Sequence, residues 1–238
     1  MNAFLGELIG TFVLVVLGNG VVAGNILKNT KAENTGWVMI TLGWGIGCTI
    51  AVYISGFLSP AHLNPAVTLA MAAIGQLPWS QVPSFILAQM LGAMLAAFTT
   101  YLHYMPHWAE TEDPSTILGT FSTAPAIRDG FSNLFGEILG TAILIMAIMS
   151  MGQNNLGAGL GPIVVGLTII SIGLSLGPTT GYAINPARDL GPRIMHQLLP
   201  IPNKGDSDWG YAWVPVVGPI IGGILGAIIY NIFIGLVA

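Results

Sequence analysis

Residues 61–68 read AHLNPAVT and residues 181–189 read GYAINPARD, so each half of the chain contains one Asn-Pro-Ala tripeptide. Each tripeptide opens an apolar segment, at about 64–74 and about 185–198, that is too short to cross a bilayer. Asn is a favoured N-cap and Pro is tolerated at the first helical position, so both segments are predicted to be half-helices. Irregular backbone at membrane depth is tolerated only inside protein or beside a watery cavity. The two segments therefore predict a pore or a binding cavity.

The composition supports a membrane protein. Of 238 residues, 53% are hydrophobic and 7% are charged, whereas a soluble domain carries about 25% charged residues. The net charge of −4 has the wrong sign for a nucleic-acid-binding protein. The expected macromolecular partner is the lipid bilayer.

Six stretches are long and apolar enough to cross a membrane, which predicts an all-α integral membrane protein with both termini on one side. They lie at about 4–25, 36–57, 80–102, 133–152, 158–177 and 211–236. The first basic residue, Lys28, follows the first stretch, so this stretch is predicted to be a retained span and not a signal peptide.

The two halves also resemble each other outside the Asn-Pro-Ala tripeptides. GELIGT at 6–11 recurs as GEILGT at 136–141. We interpret the chain as one membrane channel domain built from two repeats, at about 1–105 and 131–238, joined by a polar loop at 106–130. Because each repeat has three spans, the second must be inverted relative to the first. The N-termini of the two half-helices are then expected to meet near the midplane of the membrane.

These motifs resemble those of the major intrinsic proteins, the aquaporins and glycerol facilitators, over nearly the whole chain. The resemblance implies the aquaporin fold of six transmembrane helices and two re-entrant half-helices, and a homotetramer with one pore per subunit. The tripeptides that carry it are Asn64, Pro65, Ala66 and Asn185, Pro186, Ala187. Independently of the family, each half-helix directs the positive end of its dipole towards the midplane, and Asn64 and Asn185 can donate to a passing molecule.

Arg188 is the most informative single residue. An Arg inside a membrane is costly unless it faces a polar cavity or has partners, so Arg188 is predicted to lie in the pore wall. The resemblance assigns it to a selectivity filter with Trp44, Gly173 and Tyr182. Gly173 is expected to leave room opposite the Arg, whereas water-selective members usually carry His there. Tyr182 stands where glycerol facilitators commonly carry Phe, which leaves the width of the filter open.

Backbone carbonyls ahead of each half-helix are expected to line the pore, as the resemblance implies. The matching residues are Pro60, Ala61, His62, Gly181, Tyr182 and Ala183. His62 is either a brace for its loop or a pore-lining residue. Glu7 and Glu137 are expected to be buried structural acceptors for loop N–H groups; the alternative is a proton relay in a coupled transporter.

No set of residues predicts catalysis, a cofactor or a metal site. His103 and His107 lie four residues apart, but Pro106 interrupts a helix between them. Cys48 is the one cysteine, so a cysteine-based zinc site is excluded. The chain is not expected to be an enzyme.

The sequence thus predicts a passive channel for glycerol and other small neutral solutes, with some water flux and exclusion of ions and protons. The alternatives are a water-selective aquaporin and, less favoured, a proton-coupled transporter using Glu7 and Glu137. A plasma membrane location is expected. The Lys and Arg residues all follow the first, third or fifth span, which by the positive-inside rule would make those loops cytoplasmic. The resemblance implies cytoplasmic termini instead, and we adopt that orientation because Arg188 and Arg193 lie in a re-entrant segment.

Overall fold

The structure, a computed structural model, describes residues 2–237, and within them the regular secondary structure is entirely helical. The α-helices are α1 (Asn2–Ile26), α2 (Trp37–Ser55), α3 (Pro65–Ala73), α4 (Val82–His103), α5 (Met105–Glu110), α6 (Pro114–Phe121), α7 (Gly130–Ser150), α8 (Gly161–Ser175), α9 (Gly177–Thr180), α10 (Pro186–Leu198) and α11 (Val214–Val237). A single 3₁₀ turn, Trp79–Gln81, precedes α4 in this part of the chain.

Five of the predicted spans form helices long and apolar enough to cross a membrane, namely α1, α2, α4 with its preceding turn, α7 and α11. The remaining predicted span, about 158–177, is shorter than expected. Its helix α8 has 15 residues, or about 22 Å at 1.5 Å per residue. It ends just before Gly177-Pro178, because Pro178 has no N–H to bond to the preceding turn. The short helix α9 follows after one residue.

The two half-helices are α3 and α10, and both begin as the sequence predicts. The Asn64 side chain accepts from Ala66 N at 2.8 Å, and the Asn185 side chain accepts from Ala187 N at 3.0 Å. In each helix Pro occupies the first turn. The cap and the Pro together set the point where the re-entrant chain turns into a helix.

The long helices pair within and between the halves. Helix α1 packs against α2 and α4, α7 packs against α11, and α2 packs against α8. Each half-helix packs on the last long helix of the other half, α3 on α11 and α10 on α4. Glycines allow the closest crossings: a Cβ at Gly222 would lie 2.2 Å from Ile138 O, and one at Gly92 would lie 2.4 Å from Leu8 O.

The segment 106–130 differs from the predicted polar loop because it contains α6 and most of α5. Asp113 caps α6 by accepting from Thr116 N at 3.0 Å. Trp108, Ile117 and Phe121 are fully buried and pack in one cluster with Leu27. The polar residues between them mask this apolar pattern in the sequence, so the segment is a folded cover over the end of α1 and not a simple surface loop.

Candidate functional site

A cavity of about 280 Å³ lies where the two half-helices begin. Both motif asparagines, Asn64 and Asn185, line it, together with the predicted filter residues Trp44, Tyr182 and Arg188. Most of the remaining lining is apolar, with Val52, Leu144, Val165 and Ile169 among the side chains. The cavity thus has a few polar groups along a mainly hydrophobic wall.

The backbone ahead of each half-helix has an alternating, strained conformation. Ala61 and Leu63 have φ of 51° and 52°, and the matching Tyr182 and Ile184 have φ of 38° and 42°. A residue other than glycine is disfavoured in this left-handed region by about 1–2 kcal/mol. Interactions elsewhere must therefore hold both loops in place.

Glu7 and Glu137 supply those interactions. The Glu7 carboxylate accepts from His62 N at 2.9 Å and from Leu63 N at 2.7 Å. The Glu137 carboxylate accepts from Ala183 N at 3.0 Å and from Ile184 N at 2.8 Å. Neighbouring hydroxyls donate as well, Ser59 to Glu7 at 2.9 Å and Thr180 to Glu137 at 2.7 Å.

Both acids are buried, with exposed fractions of 0% for Glu7 and 1% for Glu137, and neither belongs to the cavity lining. Each carboxylate therefore acts as a buried acceptor behind its loop. This geometry fits the structural interpretation of the sequence, because a proton relay would need contact with the transport path.

The two motif asparagines bind to each other's loops. Asn64 Nδ2 donates to Ile184 O at 2.7 Å, and Asn185 Nδ2 donates to Leu63 O at 2.8 Å. An amide nitrogen has two N–H groups, so one remains on each Asn for a molecule in the cavity. The remaining motif residues, Pro65, Ala66, Pro186 and Ala187, are buried and do not line the cavity.

Arg188 lies over the ring of Trp44, with its guanidinium carbon 4.2 Å from the ring centroid. Within residues 2–237 its guanidinium makes no hydrogen bond to another residue, and Arg188 lines the cavity. The neighbouring Asp189 is engaged elsewhere: it accepts from Thr123 N at 2.7 Å and from Arg193 Nε at 2.9 Å. The donors of Arg188 are therefore left to a solute.

The room expected beside Gly173 is occupied by Tyr182. A Cβ at Gly173 would lie 2.8 Å from Tyr182 Cζ, and one at Gly177 would lie 2.6 Å from Tyr182 Cδ1. The two glycines, one on each side of the break between α8 and α9, form a slot for the Tyr182 ring. Gly173 and Gly181 are not part of the cavity lining. Gly173 therefore contributes by leaving space for the Tyr182 ring and not by contacting a solute.

His62 both braces its loop and lines the cavity. Its Nδ1 lies 3.2 Å from Thr68 Oγ1, which braces the loop against α3, and the residue also lines the cavity. Pro60, Ala61 and Ala183 line the cavity too. Of the six residues predicted to present carbonyls, Gly181 alone lies outside the lining.

Gln89, a fully buried residue of α4, was not predicted from the sequence as part of the site. Its Nε2 donates to Glu7 Oε2 at 2.8 Å and to Thr68 Oγ1 at 2.9 Å. An amide alone in an apolar span is the signal that points to such a role. Thr123, which binds Asp189, had no comparable signal because it lies in an irregular polar segment.

His103 and His107 lie on different helices. Helix α4 ends at His103, α5 begins at Met105, and His107 Nδ1 lies 2.8 Å from Lys28 O. In residues 2–237 no three His, Cys, Asp or Glu side chains are grouped as metal ligands would be.

Two half-helices meeting at a cavity inside a bundle of apolar helices define a multi-pass membrane channel. The sequence matches the family model for major intrinsic proteins over residues 1–230, and the chain belongs to that family.

Named relatives are similar over nearly the whole chain. The glycerol uptake facilitator protein of Streptococcus pneumoniae (strain ATCC BAA-255 / R6) is 56% identical over 233 residues, which cover 98% of this chain and 100% of the relative. The glycerol uptake facilitator protein of Bacillus subtilis (strain 168) is 54% identical, covering 97% of this chain and 84% of the relative. The X-ray structure of the aquaglyceroporin from Plasmodium falciparum superposes with a TM-score of 0.84 at 30% identity, covering 97% of this chain and 95% of that structure.

Proposed function

We propose that this protein is a passive channel for glycerol and other small uncharged solutes, with some water flux. The observation that carries the proposal is the cavity, in which Asn64, Asn185 and Arg188 provide donors along a mainly apolar wall. The names of the similar proteins, glycerol uptake facilitators in two bacteria, support glycerol as the solute. The driving force is the concentration gradient of the solute, and the protein is a channel without enzymatic activity.

The filter suits a linear polyol because it is amphipathic. Arg188 offers N–H donors to hydroxyl groups, while Trp44 and Tyr182 present aromatic surface to the carbon chain. The free N–H groups of Asn64 and Asn185 then donate to the hydroxyl oxygens at the next step along the cavity. Carbonyls of Pro60, Ala61 and His62 and of Tyr182 and Ala183 complete the path as acceptors.

Cations are excluded by fixed positive potential. Arg188 keeps its charge at any physiological pH. The N-termini of α3 and α10, each equivalent to roughly half a positive charge, add to it at the level of the two asparagines. A cation or hydronium ion would lose its hydration shell at this point and meet repulsion in exchange.

A water-selective channel is the second candidate, favoured by one observation. Tyr182 fills the slot beside Gly173, which narrows the filter relative to an open glycine face. A proton-coupled transporter has less support, because Glu7 and Glu137 are saturated by loop donors and lie away from the cavity.

We also propose a homotetramer in the plasma membrane, with two inverted repeats per subunit and cytoplasmic termini. The orientation is testable because the one native cysteine, Cys48, is buried. Glu112→Cys should react with a membrane-impermeant thiol reagent in intact cells, and Gln153→Cys should react only after lysis. The reverse pattern would contradict the orientation. Native mass spectrometry of the detergent-solubilised protein measures the subunit number, and a monomer or dimer would contradict the tetramer.

The transport proposal is tested by stopped-flow light scattering on proteoliposomes that contain the purified protein. Glycerol permeability well above that of empty liposomes is expected, together with a measurable water permeability. Fast water flux with glycerol at the background level would support the water-selective candidate. Uphill glycerol uptake that collapses with an uncoupler would support the transporter.

A further inference from the structure

Trp37, the first residue of α2, lies directly behind the Tyr182 wall of the filter. Its ring meets the Tyr182 ring edge to face, with centroids 5.8 Å apart and planes at 75°. Its indole Nε1–H donates to Gly173 O at 2.9 Å. Trp37 does not line the cavity, so its effect on a solute is indirect, and Tyr182 is the lining residue whose ring it contacts.

Gly173 O is free to accept from the Trp37 indole because α8 is interrupted. The last four carbonyls of a helix have no partner within the helix, and α8 ends at Ser175. Ile172 O is satisfied by Leu176 N at 2.8 Å. Gly173 O, the next carbonyl, is satisfied by the indole of Trp37. The break that shortens α8 thus creates the site to which Trp37 binds.

The Tyr182 ring is held against α8 by packing alone. A Cβ at Gly177 would lie 2.6 Å from Tyr182 Cδ1 and 2.9 Å from Trp37 Cζ2, so both rings occupy the space beside Gly177. Within residues 2–237 the Tyr182 hydroxyl is buried and has no hydrogen-bond partner. No polar contact of the hydroxyl fixes the ring, so its position depends on the side chains that surround it.

The position of Trp37 is itself fixed from α1. Asn25 Nδ2 donates to Thr35 Oγ1 at 2.9 Å and to Gly36 O at 3.1 Å. Gly36 has a φ of 94°, which a residue with a Cβ rarely adopts. Together these contacts set the direction in which α2 starts and in which the indole reaches α8.

We propose that Trp37 is a positioning residue that sets the width of the filter, and so the largest polyol that passes, by holding Tyr182 in its slot. This inference rests on the proposed function as a polyol channel. When the indole is removed, the Tyr182 ring is free to swing towards the vacated space. The aromatic wall then retreats from Arg188, and the filter admits a longer or bulkier polyol.

The test compares Trp37→Phe, which keeps an aromatic ring and removes the N–H donor, with Trp37→Leu, which removes both contacts. Permeabilities to water, glycerol and the four-carbon polyol erythritol are measured in proteoliposomes. For Trp37→Phe we expect the erythritol-to-glycerol ratio to rise about fivefold, the population change that loss of one ordinary hydrogen bond produces. Trp37→Leu should raise the ratio further, because it also removes the ring contact with Tyr182. Trp79→Leu is the matched control, because Trp79 is 60% exposed and does not line the cavity, and its ratio should not change.

An unchanged erythritol-to-glycerol ratio in both Trp37 variants, with water flux at the wild-type level, would overturn the positioning role. A uniform loss of all three permeabilities in Trp37→Phe would also overturn it, because that result describes damage to the fold. Wild-type protein that conducts water and no glycerol would overturn the proposed function separately. The inference would then stand or fall on whether Trp37→Phe or Trp37→Leu admits glycerol.

Discussion

The two half-helices begin with the same three residues and diverge at the fourth. Val67 follows the first Asn-Pro-Ala and Arg188 follows the second, and both residues line the cavity. At the fifth position Thr68 joins a neutral network with His62 and Gln89. Asp189, at the equivalent place, joins a buried ion pair with Arg193.

The residues that hold the two half-helices in place differ from the residues that select the solute. The frame is common to both halves: an Asn cap, two left-handed residues and a buried Glu that binds two consecutive N–H groups. The charged chemistry is confined to the second half-helix. A duplicated scaffold can thus hold a pore open symmetrically while one copy determines what passes.

The shared frame gives the largest expected effect. Glu7→Leu and Glu137→Leu each leave two backbone N–H groups buried without acceptors, at about 1–3 kcal/mol per group. We expect both variants to lose a similar free energy of unfolding, about 3 kcal/mol or more in total, measured as thermal unfolding in detergent. Thr11→Val is the control, since the buried Thr11 hydroxyl has no partner within residues 2–237. A stable Glu137→Leu beside an unfolded Glu7→Leu would break the symmetry of the frame.

Arg188→Val makes the second half-helix match the first at its fourth position. Loss of this fixed charge should raise the proton or K⁺ leak of proteoliposomes about tenfold or more, because a charge within a few ångströms at low dielectric contributes more than about 1.4 kcal/mol. Val67→Ala, which changes the equivalent neutral position, should leave the leak unchanged. An ion-tight Arg188→Val channel would mean that the half-helix dipoles suffice for exclusion.

Gly173→His tests the slot for Tyr182. The new side chain would meet the tyrosine ring, since even a Cβ at Gly173 lies 2.8 Å from Tyr182 Cζ. Overpacking of this kind costs about 1–3 kcal/mol of stability, which displacement of the ring relieves. We expect the displaced ring to narrow the filter, so that the barrier for glycerol rises by about 1.4 kcal/mol and glycerol permeability falls about tenfold, while water permeability falls less. Gly20→Ala, at a helical glycine with open space beside it, is the control. Glycerol flux at the wild-type level in Gly173→His would show that the slot does not control the filter.

Gln89→Leu gives the smallest expected effect and sharpens the difference between the halves. Glu7 keeps three donors without Gln89, so we expect a loss of about 1–2 kcal/mol in unfolding free energy and an unchanged glycerol-to-water ratio. The second half has no equivalent amide. Gly92 and Gly222 make matching contacts, on Leu8 O and Ile138 O, so the position that corresponds to Gln89 is Pro219. A changed ratio in Gln89→Leu would mean that the neutral network also contributes to selectivity.

Local sequence signals predicted most of the frame. Asn64-Pro65 and Asn185-Pro186 are helix starts whatever surrounds them, and an acid alone in an apolar helix must find donors, so Glu7 and Glu137 were interpretable without a structure. The short α8 was not predicted, because hydropathy continues smoothly through Gly177-Pro178 while the hydrogen-bond ladder does not.

Contacts between distant segments account for the parts that were missed. Gly173 was expected to leave room, and the sequence does not reveal that Tyr182 fills it from a loop nine residues later. Trp37 lies 136 residues from the carbonyl that it binds, and no local pattern marks that pairing. The buried Trp108 and Phe121 were concealed by the polar residues around them in the segment 106–130.

The reciprocal hydrogen bonds between the side-chain amides of Asn64 and Asn185 and the opposite loops have a consequence for biosynthesis. The acceptor of Asn64 is Ile184 O, which is synthesised 120 residues later, and the acceptor of Asn185 is Leu63 O. Until the ribosome has made the second loop, the first one lacks a bond that its own repeat cannot supply. The N-terminal half therefore cannot complete its re-entrant loop alone, and we expect closure of the channel to come late in assembly.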